Sequence, residues 1–241
     1  MRIGIGGGNL SSMLAQPKKL LEFCIQAQEL GYDFIDTSPF YHNAMVDKNI
    51  GCFVLNELEL EVITKAGLPY VDFGKNRNRL ANKLGKFGRY ISVENPGWFT
   101  GFTPNTLQQE VFSSLLRLNK VNHDAFLLHS IDSSLTLEPF IEVLQTEKSL
   151  GNIKLIGASI DKELNLDFSW ADILEVPSSL RNSPMVMNFK GQVIFNGIFR
   201  ENGDSAYHVV REILRSFPSQ SIVIGSADIN HLREVAKLIN G

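Results

Sequence analysis

The chain has 241 residues, 44% of them hydrophobic and 20% charged, with a net charge of −3, which are the proportions of a globular protein able to bury a large core without staples. The isoelectric point near 6.0 leaves no basic field to hold a phosphate backbone, so no nucleic-acid partner is expected. No apolar run approaches the ~18 residues of a membrane span and no signal-type apolar segment opens the chain, so a cytoplasmic protein without membrane attachment is expected.

Short apolar runs alternate with helical patterns from one end to the other. Ile3 to Gly6 reads as a strand leading through Gly7 and Gly8 to a helix with Leu20, Leu21, Cys24, Ile25, Ala27 and Leu30 on its apolar face. Gly31 stands where that helix needs a C-terminal cap. Residues 34–37 and 60–65 are the next strands, and 66–105 form a long connection of the size usually reserved for function or disorder. A helix over 106–118 follows, capped near Thr103 or Asn105 with Pro104 at its start. Then come a strand at 124–129, a helix at 137–150, and strands at 153–158 and 172–176, the latter followed by a short helix. A strand at 192–195, a helix at 206–217, a strand at 221–224 and a helix at 228–239 complete the series.

Eight strand–helix units of this kind predict parallel strands with right-handed crossovers, closed into a (β/α)₈ TIM barrel as one domain over residues 1–241. A doubly wound open sheet is the rival. The glycines at 4–8 break the dinucleotide fingerprint at its last position, where Asn9 stands, and that motif is rejected. Cys24 and Cys52, the only cysteines, form no CxxC pair and are read as reduced, buried small hydrophobes. No histidine and carboxylate group has metal-ligand spacing, so no metal is expected.

Active groups of such barrels sit at the C-terminal strand ends. Asp36 closes the second strand with Tyr41 just beyond, Lys65 closes the third, and His129 closes the fourth. A charged residue after an apolar run has no packing reason to be there. An ammonium stabilises a phenolate and so lowers the ordinary tyrosine pKa of ~10, while an aspartate keeps that lysine charged. An imidazole can donate to a carbonyl oxygen, so that hydride reaches carbon as a proton reaches oxygen. Taken singly each residue has a bland reading: a capping aspartate, a half-buried aromatic, a snorkelling lysine, a satisfied core histidine. His42, His123, His208 and His231 lack such company and are read as loop or surface residues.

The stretches GYDFIDTSPFY (31–41), VITKAG (62–67), SSLLRLNKVNHDAFLLHSID (113–132), NIKLIGASI (152–160) and IVIGSADINHLREV (222–235) resemble the aldo-keto reductase family, in the family's order. The resemblance implies an NAD(P)-dependent oxidoreductase, NADP being favoured, that acts on a small carbonyl or sugar substrate. Tyr41 would be the proton donor, Lys65 and Asp36 would tune it, and His129 would align the carbonyl. The wording DTSPFY and IFNGIF looks most like the branch acting on galactose and related aldoses.

The cofactor positions depart from the family pattern. Ser159 is kept but Ile160 replaces an asparagine, Glu175 stands near a usual glutamine, and Phe195 is the nearest aromatic to a stacking tyrosine. Gly225, Ser226 and His231 occupy the eighth unit, where members often carry lysine and arginine. Phe40, Trp98 and Phe99 are candidate substrate-wall residues, with aromatic packing of the 66–105 segment as the equal alternative. Two rivals share the fold: a lyase or isomerase using the same four groups for proton transfer, and a non-catalytic binding barrel.

Overall fold

The computed structural model describes residues 1–70 and 102–240. Eight parallel strands close in sequence order, β1 pairing with β2 and so on until β8 returns to β1. They are β1 (Arg2–Gly6), β2 (Tyr32–Asp36), β3 (Glu61–Ala66), β4 (His123–Leu128), β5 (Ile153–Ser159), β6 (Ile173–Pro177), β7 (Gln192–Asn196) and β8 (Ser221–Ile224). Every expected strand is present, with ends displaced by a residue or two. The chain is a (β/α)₈ barrel.

Alternation along the strands separates two apolar layers, because successive side chains point to opposite faces. Phe34, Ile63, Ala125, Leu127, Ile173, Ile194 and Val223 form a cluster of their own and fill the inside of the barrel. Their chain neighbours Ile35, Val62, Phe126, Leu174, Phe195 and Ile222 belong to the second cluster, between the sheet and the helices. Burying each large apolar side chain is worth about 1.5–3 kcal/mol, which holds the inner layer apolar. Gly4 belongs to this packing: a Cβ there would lie 2.2 Å from the Phe34 ring, so the glycine makes room for the largest inner side chain.

The helices carry the expected signals. Pro17 opens α1 (Pro17–Glu29), and Gly31 follows with φ of +91°, the left-handed geometry that favours glycine. The chain next forms α2 (Met45–Asn49) and a wider turn at Ile50–Val54. In α3 (Pro104–Leu118), Thr103 and Thr106 form a reciprocal cap: Thr103 Oγ1 accepts from Thr106 N, and Thr106 Oγ1 accepts from Thr103 N. After α4 (Glu138–Ser149) the pattern weakens. The β5–β6 connection over 160–172 contains no helix, and after β6 come only a 3₁₀ turn at Ser178–Leu180 and α5 (Pro184–Asn188), five residues long. The reading of eight complete strand–helix units is corrected there: buried Leu164 and Phe168 cover the barrel wall where a fifth crossover helix would lie. A groove of about 540 Å³ runs along this wall between residues 163–171 and 184–191. The short α6 (Ile198–Asn202) precedes α7 (Ala206–Ser216), which buries Ala206, Val209, Val210 and Ile213 at helical spacing, and α8 (Ile229–Asn240) ends the described chain.

Two further readings are corrected. His123 is not a loop or surface residue: it is 1% exposed at the start of β4, where its Nε2 lies 3.0 Å from Ser114 Oγ and 2.9 Å from the Val111 carbonyl oxygen. Burial pushes its pKa down to about 4, so it serves as a neutral packing group. Cys24 is buried as expected, but Cys52 is exposed, because the Ile50–Val54 turn aims it outward. Among the described residues no helix is long and apolar enough to cross a membrane.

Candidate active site

The mouth of the barrel is built by the same alternation. Two residues beyond the inner apolar residue of each strand lies a polar or small one: Asp36 after Phe34, Lys65 after Ile63, His129 after Leu127, Ser159 after Gly157, Glu175 after Ile173, Asn196 after Ile194 and Gly225 after Val223. One apolar layer thus supports one polar layer, drawn from seven strands. The resemblance's four residues, Asp36, Tyr41, Lys65 and His129, are brought together on this layer.

Lys65 is fully buried and pairs with Asp36 Oδ1, while the Glu175 Oε2 atom faces its Nζ at 3.1 Å and the Thr37 carbonyl lies at 3.4 Å. Burial works against the charge on Lys65, but the two carboxylates outweigh it and hold the ammonium above its usual pKa. Burial and Glu175 push Asp36 up to about 8 against the pull of Lys65.

Tyr41 sits half-buried above this cluster, with the Lys65 Nζ 5.8 Å from its ring centre. Among the described residues its hydroxyl makes no hydrogen bond. Burial holds the phenol above its ordinary pKa; Lys65 pulls it down, and Asp36, Glu175 and Asp161 push it further up. This corrects the expectation that the lysine leaves the tyrosine more acidic than usual. These influences together favour the protonated phenol. His129 is buried, its ring perpendicular to those of Tyr41 and Phe40 with both centroids 6.2 Å away. Burial and then the Lys65 charge hold it well below 6.5, so the imidazole is neutral.

The other side of the mouth holds three polar residues on consecutive strands. Ser159 and Glu175 are register partners on β5 and β6. Asn196 Nδ2 on β7 donates to Glu175 Oε1 at 2.6 Å. The Glu175 Oε2 and Asn196 Oδ1 atoms are buried without a hydrogen bond, and the nine-tenths-buried Ser159 hydroxyl makes none among the described residues. Sequence reasoning missed Asn196 and chose its neighbour. The structure places Phe195 fully buried against Phe217, 5.1 Å between ring centres, on the helix side of the sheet and away from the mouth. The period-two alternation from Ile194 would have found Asn196. Ser38 was missed too, and its Oγ lies 3.1 Å from His129 Nδ1.

Gly225 lies at the mouth beside Gly6, whose Cβ would stand 3.0 Å from the Gly225 Cα. The Ser226 hydroxyl accepts the Asp228 amide at 3.0 Å, and the Asp228 carboxylate accepts the Asn230 amide at 2.9 Å. The turn into α8 thus satisfies its own amides and carries a negative charge. His231 packs edge-on against Phe199, 4.1 Å between ring centres, on the outer helix layer. Phe40 flanks the mouth. Trp98 and Phe99 lie outside the described residues.

A parallel eight-stranded barrel with its polar layer at the C-terminal strand ends is the architecture of barrel enzymes. The aldo/keto reductase family model matches residues 2–190, and the chain belongs to that family of oxidoreductases. Comparison with curated protein sequences gave no match. Among solved structures the chain is similar to an aldo-keto reductase from Bacillus halodurans in its holo form, at 15% identity and a TM-score of 0.75, covering 100% of this chain and 87% of that one. It is also similar to a glycerol dehydrogenase from Gluconobacter oxydans, at 16% identity and a TM-score of 0.74, covering 100% and 86%. A third is an aldo-keto reductase from Klebsiella pneumoniae in complex with NADPH, at 15% identity and a TM-score of 0.67, covering 99% and 85%. At these identities the likeness is one of fold.

Proposed function

We propose that the chain is an NADP- or NAD-dependent oxidoreductase that interconverts a small carbonyl compound and its alcohol, with Tyr41 as proton donor and acceptor. The observation that carries this reading is geometric: the Tyr41 phenol, whose hydroxyl makes no hydrogen bond among the described residues, lies beside both the buried Lys65–Asp36 pair and the buried His129 ring, and burial favours the neutral form of phenol and imidazole alike. In reduction Tyr41 gives its proton to the carbonyl oxygen as the carbonyl carbon gains a hydride. Lys65 stabilises the phenolate left behind, and Asp36 keeps Lys65 charged and fixed. His129 donates to the same oxygen and orients it.

A bound nicotinamide supplies the hydride in one direction and takes it up in the other. Polar atoms of the mouth that make no hydrogen bond among the described residues fit its carboxamide, although Glu175 Oε2 also faces the Lys65 ammonium. Glu175 Oε2 and Asn196 Oδ1 are two acceptors for the two amide protons, and the Ser159 hydroxyl is a donor for the amide oxygen. Gly225 and Ser226 would lie along the dinucleotide, as they do in the resemblance. The Asp228 carboxylate takes an amide there that a phosphate would otherwise use. NADP is the first cofactor to try, because a structural neighbour is held in complex with NADPH.

For substrate, a small sugar or polyol comes first. The DTSPFY wording resembles the sugar-oxidising branch, one structural neighbour is a glycerol dehydrogenase, and the half-buried Phe40 ring edges an otherwise polar mouth. The barrel over 1–241 is taken as one domain. The test is a nicotinamide absorbance assay run with NADPH against aldehydes, ketones and aldoses, and with the oxidised cofactor against sugars and polyols. Turnover in either direction that is lost in Tyr41→Phe supports the proposal; undiminished turnover in that variant removes Tyr41 from the reaction.

A further inference from the structure

The geometry points to Ser38 as a positioning residue that fixes His129 as its Nε2–H tautomer, and so aims the imidazole N–H at the substrate oxygen. The inference rests on the proposed role of His129 and adds the group that makes that role possible.

A neutral imidazole donates from one ring nitrogen and accepts at the other, and which does which is set by the neighbours. Ser38 is 1% exposed, with its Oγ 3.1 Å from His129 Nδ1. That oxygen already accepts the Phe40 amide at 3.2 Å. The hydroxyl has a single proton to give, and among the described residues Nδ1 is the acceptor within its reach. If Nδ1 carried the imidazole proton and donated it to Ser38, the hydroxyl proton would be buried with no partner among the described residues, which costs the desolvation of an unmade hydrogen bond. The proton of His129 therefore resides on Nε2. The wrong tautomer would present a lone pair to a carbonyl oxygen, which repels it.

The serine is held as firmly as the group it orients. Thr37 N donates to the Ile63 carbonyl at 2.8 Å, and Thr37 Oγ1 donates to the buried Asp47 at 2.7 Å. Pro39 follows, and the Tyr41 amide donates to the Ser38 carbonyl at 2.9 Å. One tight turn at the end of β2 thus carries the phenol, the serine that sets the imidazole and the Phe40 ring beside it.

Nitrogen-15 spectra of the labelled full chain read the tautomer directly and need neither cofactor nor substrate. The expected result is a protonated Nε2 and an unprotonated Nδ1 for His129 in the wild type, a mixed or reversed pattern in Ser38→Ala, and the wild-type pattern again in Ser38→Thr. Turnover should fall about 10²-fold in Ser38→Ala, the cost of losing one oriented donor, mostly in kcat and with little change in KM, and should recover in Ser38→Thr. A wild-type His129 protonated on Nδ1 overturns the inference even if the alanine variant does not fold. So does a Ser38→Ala variant that keeps the wild-type tautomer, or one whose tautomer shifts without loss of turnover. A wild type with no nicotinamide-dependent turnover would fail the proposed function instead, and the spectra would still decide the tautomer.

Discussion

Strands β2 to β4 end in Asp36, Lys65 and His129, which are engaged with neighbours inside the mouth. Strands β5 to β7 bring Ser159, Glu175 and Asn196 to the mouth, each with one polar atom that makes no hydrogen bond among the described residues. The first half is a prepaid electrostatic arrangement, in which the cost of burying an ammonium is offset by two carboxylates. The second half is an unfilled donor–acceptor pattern, and such patterns are costly unless something completes them. The outer layer differs in the same sense, since the helix layer is full behind β1 and β8 and thin behind β5 and β6. In the proposed function the first half serves proton transfer and the second holds a planar amide.

Removing the acid breaks the first half most directly. Tyr41→Phe should lower kcat/KM by about 10²–10⁴-fold, the usual reach of a positioned general acid, while cofactor affinity measured by titration stays within a few-fold. A comparable loss of affinity would mean that the phenol holds the cofactor.

Lys65→Met tests the prepaid charge. It leaves two buried carboxylates facing each other, so urea denaturation at neutral pH should show a loss of about 3–5 kcal/mol. Because both acids can be neutralised by protons, the variant should regain stability as pH falls. A flat pH response would show that Asp36 and Glu175 are not the cause.

His123 gives a control away from the mouth. Its folded pKa of about 4 lies below the unfolded value near 6.5, so the folded state binds fewer protons and stability falls as pH drops through that window. The difference between wild type and His123→Asn should change by up to about 1.4 kcal/mol per pH unit there and level off outside it. No change in that difference would contradict the buried neutral assignment.

Glu175→Gln joins the two halves and should have the smallest effect. It removes a charge that raises the Tyr41 pKa, so the phenol becomes easier to ionise. With Tyr41 as the proposed proton donor, reduction needs the protonated phenol, and the alkaline limb of its pH profile should therefore move to lower pH. A move to higher pH would reverse the electrostatic account.

What was legible in the sequence follows the same division. Charged residues after apolar runs stand out, so Asp36, Lys65 and His129 were readable, and the DTSPFY stretch brought Tyr41 with them. All eight strands were readable from short apolar runs bounded by glycine and polar residues. Ser38 and Asn196 were not, because a small polar residue at a strand end looks like any turn residue until the register shows which way it faces. Phe195 attracted attention as an aromatic, though its neighbour Ile194 fixes the inner face and sends Phe195 outward. His123 looked like a loop residue because the strand begins one position earlier than its apolar run. No helix was readable between the strands at 153–158 and 172–176, and none forms there: Leu164 and Phe168 cover the wall instead.

The measurement that tests the central claim most directly is calorimetric titration of the folded chain with NADPH and, separately, NADH, repeated on Ser159→Ala. The account predicts one-to-one binding of at least one of them, weakened in the variant by the loss of a hydrogen bond worth about 0.5–1.5 kcal/mol. A folded wild type that binds neither would contradict it, and would leave the mouth as a proton-transfer site without redox chemistry.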